Sequence, residues 1–175
     1  MPTLMPDVNF DSDEWHADET VVKISDKKYY IWFIIDSETR FVLGFHLLPH
    51  RDSPQTFSLF DSNKQYRKPN SIVTDSYSAY KVLTEAILDV KHIRVAIFKD
   101  DISNNVIEAF KKQFKYWYKT IYGFNSFESA NSMIMMFVFF YNFIRPHSSL
   151  SNLTPAQVAG LRYSKRQQNS LLLVS

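Results

Sequence analysis

Three runs rich in β-branched and aromatic residues follow one another almost without pause: 15–24 (WHADETVVKI), 28–36 (KYYIWFIID) and 40–48 (RFVLGFHLL). The breaks between them, SDK and SET, are short and polar, which suits hairpins. Three consecutive antiparallel strands are therefore predicted at the start of the fold. After them the pattern changes. Residues 53–66 read as a helix, with Ser53 as N-cap and Pro54 at the first helical position. A short apolar run, 71–74 (SIVT), reads as a buried strand ending at Asp75. Helical pattern follows over 76–86, a strand over 92–98 (HIRVAIF) and a long helix over 104–119. Gly123 interrupts it, a second long helix is expected over 127–143, and a short one after Thr154-Pro155. Meandering strands followed by alternating units imply an α/β fold. Its mixed five-stranded sheet has three antiparallel strands, then parallel ones, and helices flank it.

Composition agrees with one packed domain. The chain has 175 residues, enough for a full hydrophobic core. It carries 15 Phe, 10 Tyr and 3 Trp against only 3 Gly, which favours dense packing over loops. It has no Cys, which excludes a disulfide scaffold and a thiolate zinc site. The net charge of +2 says little about partners, because an acidic cluster can offset a basic face. The N-terminal residues are acidic and lack the apolar core of a secretory signal. The most apolar run, Met133–Phe143 (MIMMFVFFYNF), is too short to span a membrane and is interrupted by Asn142. Residues 1–14 read as a leader, 15–160 as the folded domain and 161–175 as a tail.

Three acids stand at positions suited to chemistry, and each has an ordinary structural alternative. Asp18 lies inside the first strand, where burial without a partner is costly; an exposed edge position is the alternative. Asp75 ends an apolar strand and would equally serve as an N-cap for the segment that begins at Ser76. Glu108 sits one turn into the long helix, and Asn105 to Glu108 has capping-box spacing. Together they differ from three isolated acids. Carboxylates gathered at neighbouring strand ends repel unless cations neutralise them. Oxygen ligands suit Mg²⁺ or Mn²⁺ rather than Zn²⁺. Two such ions, about 4 Å apart, would activate a water or a 3′-hydroxyl and stabilise a leaving phosphodiester oxygen. Asp36 suits a tight turn, Asp100 and Asp101 would cap the long helix, and Glu19 points away from Asp18.

Five stretches, WHADET (15–20), YYIWFIIDSETRFVLGF (29–45), IVTDSYSAY (72–80), NNVIEAF (104–110) and YNFIRPHSSLSNLTPAQVAG (141–160), together resemble the catalytic core of insertion-sequence DDE transposases. These are relatives of retroviral integrases with an RNase H-like fold. The stretches occur in the family's order and span Trp15 to Gly160. The resemblance implies DNA end cleavage and strand transfer, with Asp18, Asp75 and Glu108 as catalytic metal ligands for two Mg²⁺ or Mn²⁺ ions. Asp18 and Asp75 are 57 positions apart, and Asp75 and Glu108 are 33 apart, the latter close to family usage. The family also tends to carry a basic residue seven positions after the Glu, here Lys115. Glu108, Lys112, Lys115 and Lys119 share one helical face, which would lay a DNA backbone beside the ions. Lys111 lies off that line and reads as solvated. Arg51 matches a position often Arg in the family. Arg145 and His147 read mainly as anchors of the C-terminal segment, and Phe137, Phe139, Phe140, Tyr141 and Phe143 as core.

The resemblance implies further expectations. The partners would be transposon ends and target DNA, with a homodimer or larger assembly, no membrane, and a prokaryotic cytoplasm or nucleoid as the compartment. Such transposases usually carry a helix-turn-helix reader before the catalytic core, and fourteen residues before Trp15 cannot hold one. Two rival readings follow: a hydrolysis-only RNase H-like nuclease, and a truncated, non-catalytic remnant that binds DNA or a full-length partner.

Overall fold

In the computed structural model, residues 14–50, 69–74, 91–94 and 105–161 are described. Strand β1 (Glu14–Ile24) turns into β2 (Lys27–Asp36) through Ser25 and Asp26. Both turn residues have positive φ, 46° and 64°. That backbone matches the right-handed twist of the flanking strands, so a two-residue turn closes the hairpin. The next turn is built by Asp36, whose buried Oδ1 accepts hydrogen bonds from Thr39 N at 2.8 Å and Thr39 Oγ1 at 2.6 Å. Strand β3 (Val42–Leu48) then returns along β2, with a register shift at Ile34/Ile35. Asp36 is thus a turn residue, as its position in the sequence suggested.

Strand β4 (Ser71–Thr74) lies parallel to β1, and β5 (Lys91–Arg94) parallel to β4. The sheet order is β3-β2-β1-β4-β5, so β1 is central and flanked by an antiparallel and a parallel neighbour. This is the mixed five-stranded sheet predicted above. The expected strand over 92–98 is described only to Arg94. The expected helices over 53–66 and 76–86 lie outside the described residues. So do Arg51, Asp75, Asp100, Asp101, the first thirteen residues and the tail beyond 161.

One face of the sheet is packed by two helices, α1 (Asn105–Thr120) and α2 (Phe127–Phe139). Ile107, Phe110 and Phe114 of α1 are fully buried and meet Val22, Ile31, Phe33 and Ile35 from the strands. Phe33 is the hub, with edge-on rings of Phe110 at 4.8 Å and Phe114 at 5.2 Å. Phe114 in turn meets Phe137 of α2 at 5.3 Å. Edge-to-face rings add to the large burial that each Phe already contributes. The opposite face gathers Trp15, Ala17, Trp32, Ile34, Leu48 and Ile72. Between α1 and α2 the chain turns at Gly123, whose φ of +93° a side chain rarely adopts. Ser126 accepts a hydrogen bond from Ser129 N and caps α2.

The second long helix ends differently from the periodic reading. It is α-helical only to Phe139, and Phe140–Ile144 form a π-helical turn. The turn presents Asn142, which is 2% exposed, to the edge strand. Asn142 Oδ1 accepts from Val42 N, and Asn142 Nδ2 donates to Val42 O, both at 2.9 Å. An edge residue of β3 is thereby satisfied by one side chain in both directions. His147 packs against the Tyr141 ring at 4.5 Å, and Arg145 donates to Gln113 of α1 at 2.7 Å. Both therefore serve as anchors of the C-terminal segment. A last short helix, α3 (Pro155–Val158), starts from a capping box between Thr154 and Gln157. Among the described residues, no helix is long and apolar enough to cross a membrane.

Candidate functional site

Strand register decides where Asp18 points. Asp18 stands opposite Phe33 in the β1–β2 ladder. Directly opposed residues share a face, and Phe33 packs on α1. Asp18 therefore faces α1 from the central strand, and it is 2% exposed. The exposed-edge alternative for this residue does not hold. Its Oδ1 accepts the backbone N–H of Glu19 at 2.6 Å, and its Oδ2 accepts a short hydrogen bond from Lys111 Nζ.

Helix α1 supplies the rest. Glu108 lies in its first turn, with its side chain 60% exposed. Asn105 is itself inside the helix, and Glu108 Oε1 lies 3.5 Å from Lys111 Nζ. The acid thus faces Lys111 rather than folding back to close a capping box at Asn105. Two carboxylates, one from the sheet and one from the helix, converge on a single positive atom.

The reading of Lys111 as a solvated lysine is corrected here: its side chain is 14% exposed. The cause is helix geometry. At 3.6 residues per turn, Lys111 lies roughly 60° from Glu108, on the side of the buried stripe Ile107–Phe110–Phe114. It occupies the flank between core and solvent, and its long stem crosses to the sheet while the ammonium meets Asp18. The signal was present in the sequence as an i, i+3 acid–base pair, which brings side chains as close as i, i+4 does. Burial by itself draws the Lys111 pKa down. The hydrogen bond and charge of Asp18, with the charge and weaker hydrogen bond of Glu108, outweigh burial and hold it above 10.5.

Lys112, Lys115 and Lys119 are all exposed along α1, on the Glu108 side of the helix. Asp75 lies outside the described residues. Thr74, the last described residue of β4, pairs with Ala17, the residue before Asp18. Among the described residues, no three His, Asp or Glu side chains gather into a metal-holding group. Asp18 and Glu108 do offer oxygen donors to one cation, and a hard divalent ion such as Mg²⁺ fits that donor set better than Zn²⁺. A groove of about 660 Å³ runs between α1 and α2, where Tyr116, Trp117, Met136 and Phe140 meet Lys112 and Arg145. Neither Asp18 nor Glu108 lines it.

Comparison with known proteins bears on the same arrangement. Residues 12–147 match a family described as a DDE domain. No curated protein matches the chain. Among solved structures, the HTLV-2 integrase catalytic core domain in complex with magnesium, in its dimeric form, is similar with a TM-score of 0.61 and 18% identity, covering 83% of this chain and 94% of that one. The catalytic core domain of BIV integrase gives 0.63 and 16%, covering 85% and 93%. A chain of the simian T-cell lymphotropic virus intasome, in complex with the PP2A regulatory subunit B56 gamma, gives 0.66 and 15%. The match covers 85% of this chain but only 54% of the intasome chain. At these identities the likeness is one of fold.

Proposed function

The chain belongs to the DDE domain family, and from that premise we propose that it is the catalytic domain of an insertion-sequence transposase, cutting DNA at element ends and joining them to target DNA. The observation that carries this reading is the convergence of Asp18 and Glu108 on one cation. A buried carboxylate on a central strand is costly unless something positive meets it. Here β1 aims it at the first turn of α1, where a second acid waits.

Asp18, Asp75 and Glu108 would hold the divalent ions. The description of the HTLV-2 core in complex with magnesium supports that choice of metal. When bound, such ions, two in the proposed site, would lower the pKa of an attacking water or 3′-hydroxyl and would stabilise the leaving oxygen of a phosphodiester. The protein's part is positional. The ladder to Phe33 and the Glu19 N–H fix the Asp18 carboxylate. The Phe110 and Phe114 packing fixes the helix that carries Glu108. Lys115, with Lys112 and Lys119, would take the phosphates of the bound strand, a contact that positions DNA without reading its sequence. The proposal extends to a domain spanning 15–160, to transposon ends and target DNA as partners, to a homodimer or larger assembly and to a prokaryotic cytoplasm.

The experiment is Mn²⁺-dependent cleavage and strand transfer on end-sequence DNA, with Asp18→Asn and Glu108→Gln beside the native protein. Both variants are expected to lose both activities. Retention of either activity at native rate would overturn the assignment of that acid. With pre-cut ends the native protein is expected to join; hydrolysis without joining would move the chain to the nuclease reading. Binding of DNA without chemistry under any metal would move it to the non-catalytic one.

A further inference from the structure

Among the described residues, Lys111 is a charged group at the site that the metal reading does not use. We propose that Lys111 is a built-in competitor for the metal: its ammonium occupies the space between Asp18 and Glu108 that a divalent ion would take, so it sets the site's metal affinity. The inference rests on the reading of these acids as metal ligands.

Three observations carry it. First, Asp18 Oδ2 and Glu108 Oε1 both address Lys111 Nζ. An ion held by the same oxygens would sit against that ammonium, and the two like charges would repel strongly at contact distance. Second, Asp18 does not depend on Lys111 for its orientation. Its Oδ1 is fixed by Glu19 N on its own strand, at 2.6 Å. Removing the lysine therefore leaves the carboxylate aimed at α1, held by the Glu19 N–H. Third, Lys111 has somewhere to go. It stands on the flank of α1, next to the exposed Lys112, and a flexible four-carbon stem can carry its ammonium outward. There it would join the lysines proposed to meet phosphate, so arrival of the ion would free one more cation for DNA.

A competitor and a positioning residue make opposite predictions, which gives the test its sign. Mn²⁺ binding to the full chain, without DNA, is measured by calorimetry and by the electron paramagnetic resonance of free Mn²⁺. Lys111→Met is expected to bind Mn²⁺ about tenfold more tightly than the native protein, the gain from removing a partly buried opposing charge. The variant should also show the larger Mn²⁺-induced rise in melting temperature, because a ligand at free concentration L stabilises by RT ln(1 + L/Kd), which grows as Kd falls. Lys111→Arg keeps the charge and is expected to bind as the native protein does. Lys111→Gln carries the same expectation as Lys111→Met should the apolar variant not fold. Equal or weaker Mn²⁺ binding in the folded neutral variant would overturn the competitor role. Asp18→Asn, in the native and the Lys111→Met background, should abolish the binding. Binding that survives Asp18→Asn, or none in any protein, would overturn the metal reading itself and with it this inference.

Discussion

The Asp18–Lys111 pair should show its energy in the protein without metal, through a double-mutant cycle of Asp18→Asn, Lys111→Met and both together. The side chains are 3% and 14% exposed, so the pair is nearly out of water. At a separation of about 3 Å and an effective dielectric constant of about 20, the gross attraction is roughly 5 kcal/mol. Desolvation of both charges cancels most of it, and the net coupling expected is about 1–3 kcal/mol. The two single changes should not cost the same. Lys111→Met removes the opposing charge from a buried carboxylate on a central strand, at about 2–3 kcal/mol. Asp18→Asn leaves the ammonium to Glu108 alone, on a long stem that can swing out, at about 1–2 kcal/mol. Because the pair raises the Lys111 pKa above 10.5, its stabilisation is complete below that value and is lost only as pH rises through the higher folded one. Urea unfolding at pH 7 with a chelator therefore reads the whole effect. Added salt should change it little, since buried charges are poorly screened. A coupling under about 0.5 kcal/mol, or an Asp18→Asn cost larger than that of Lys111→Met, would refute the geometry argued for this pair.

Other outcomes follow from the same structure. Asn142→Leu leaves both Val42 backbone groups unsatisfied and should cost about 2–5 kcal/mol in urea unfolding; a loss below 1 kcal/mol would show that water replaces the amide. Phe110 is fully buried between Phe33, Phe137 and Tyr141, so Phe110→Ala should cost about 3–5 kcal/mol by the same measurement. Burial holds the His147 pKa below 6.5, and Arg145 and Arg40 add to this against the hydrogen bond to Tyr141 O. The unfolded chain then binds a proton that the folded one resists. Its contribution is full above 6.5 and falls as pH drops below, and His147→Gln should flatten the melting temperature between pH 7 and 5. Lys115→Ala should weaken DNA binding alike for all sequences and lower the slope of log affinity against log salt by about 1; an unchanged slope would place Lys115 off the phosphates.

Much of this architecture is written locally. The runs that became β1, β2 and β3 announce themselves by composition, and their turns by Ser25-Asp26 and by Asp36, because hairpins are settled between neighbours in the chain. The 71–74 strand was legible for the same reason, as were the Gly123 break and the Thr154-Pro155 start. Asp18 and Glu108 were legible as candidates through spacing and through the order of the surrounding stretches. Their environment was not. A strand position carries no sign of its face until a partner's register sets it, and only the pairing with Phe33 turns Asp18 toward α1. The end of α2 was misjudged because helical periodicity reads the same through Phe140–Ile144, whereas the unpaired edge of β3, a hundred residues earlier, draws Asn142 into a π-helical turn. Lys111 shows the difference most clearly. In the sequence it is one lysine among four on α1, marked within the helix only by its i, i+3 spacing from Glu108. Its burial and its charge pair both depend on a carboxylate 93 positions away, and long-range electrostatics of that kind exists only once the sheet has been assembled beneath the helix.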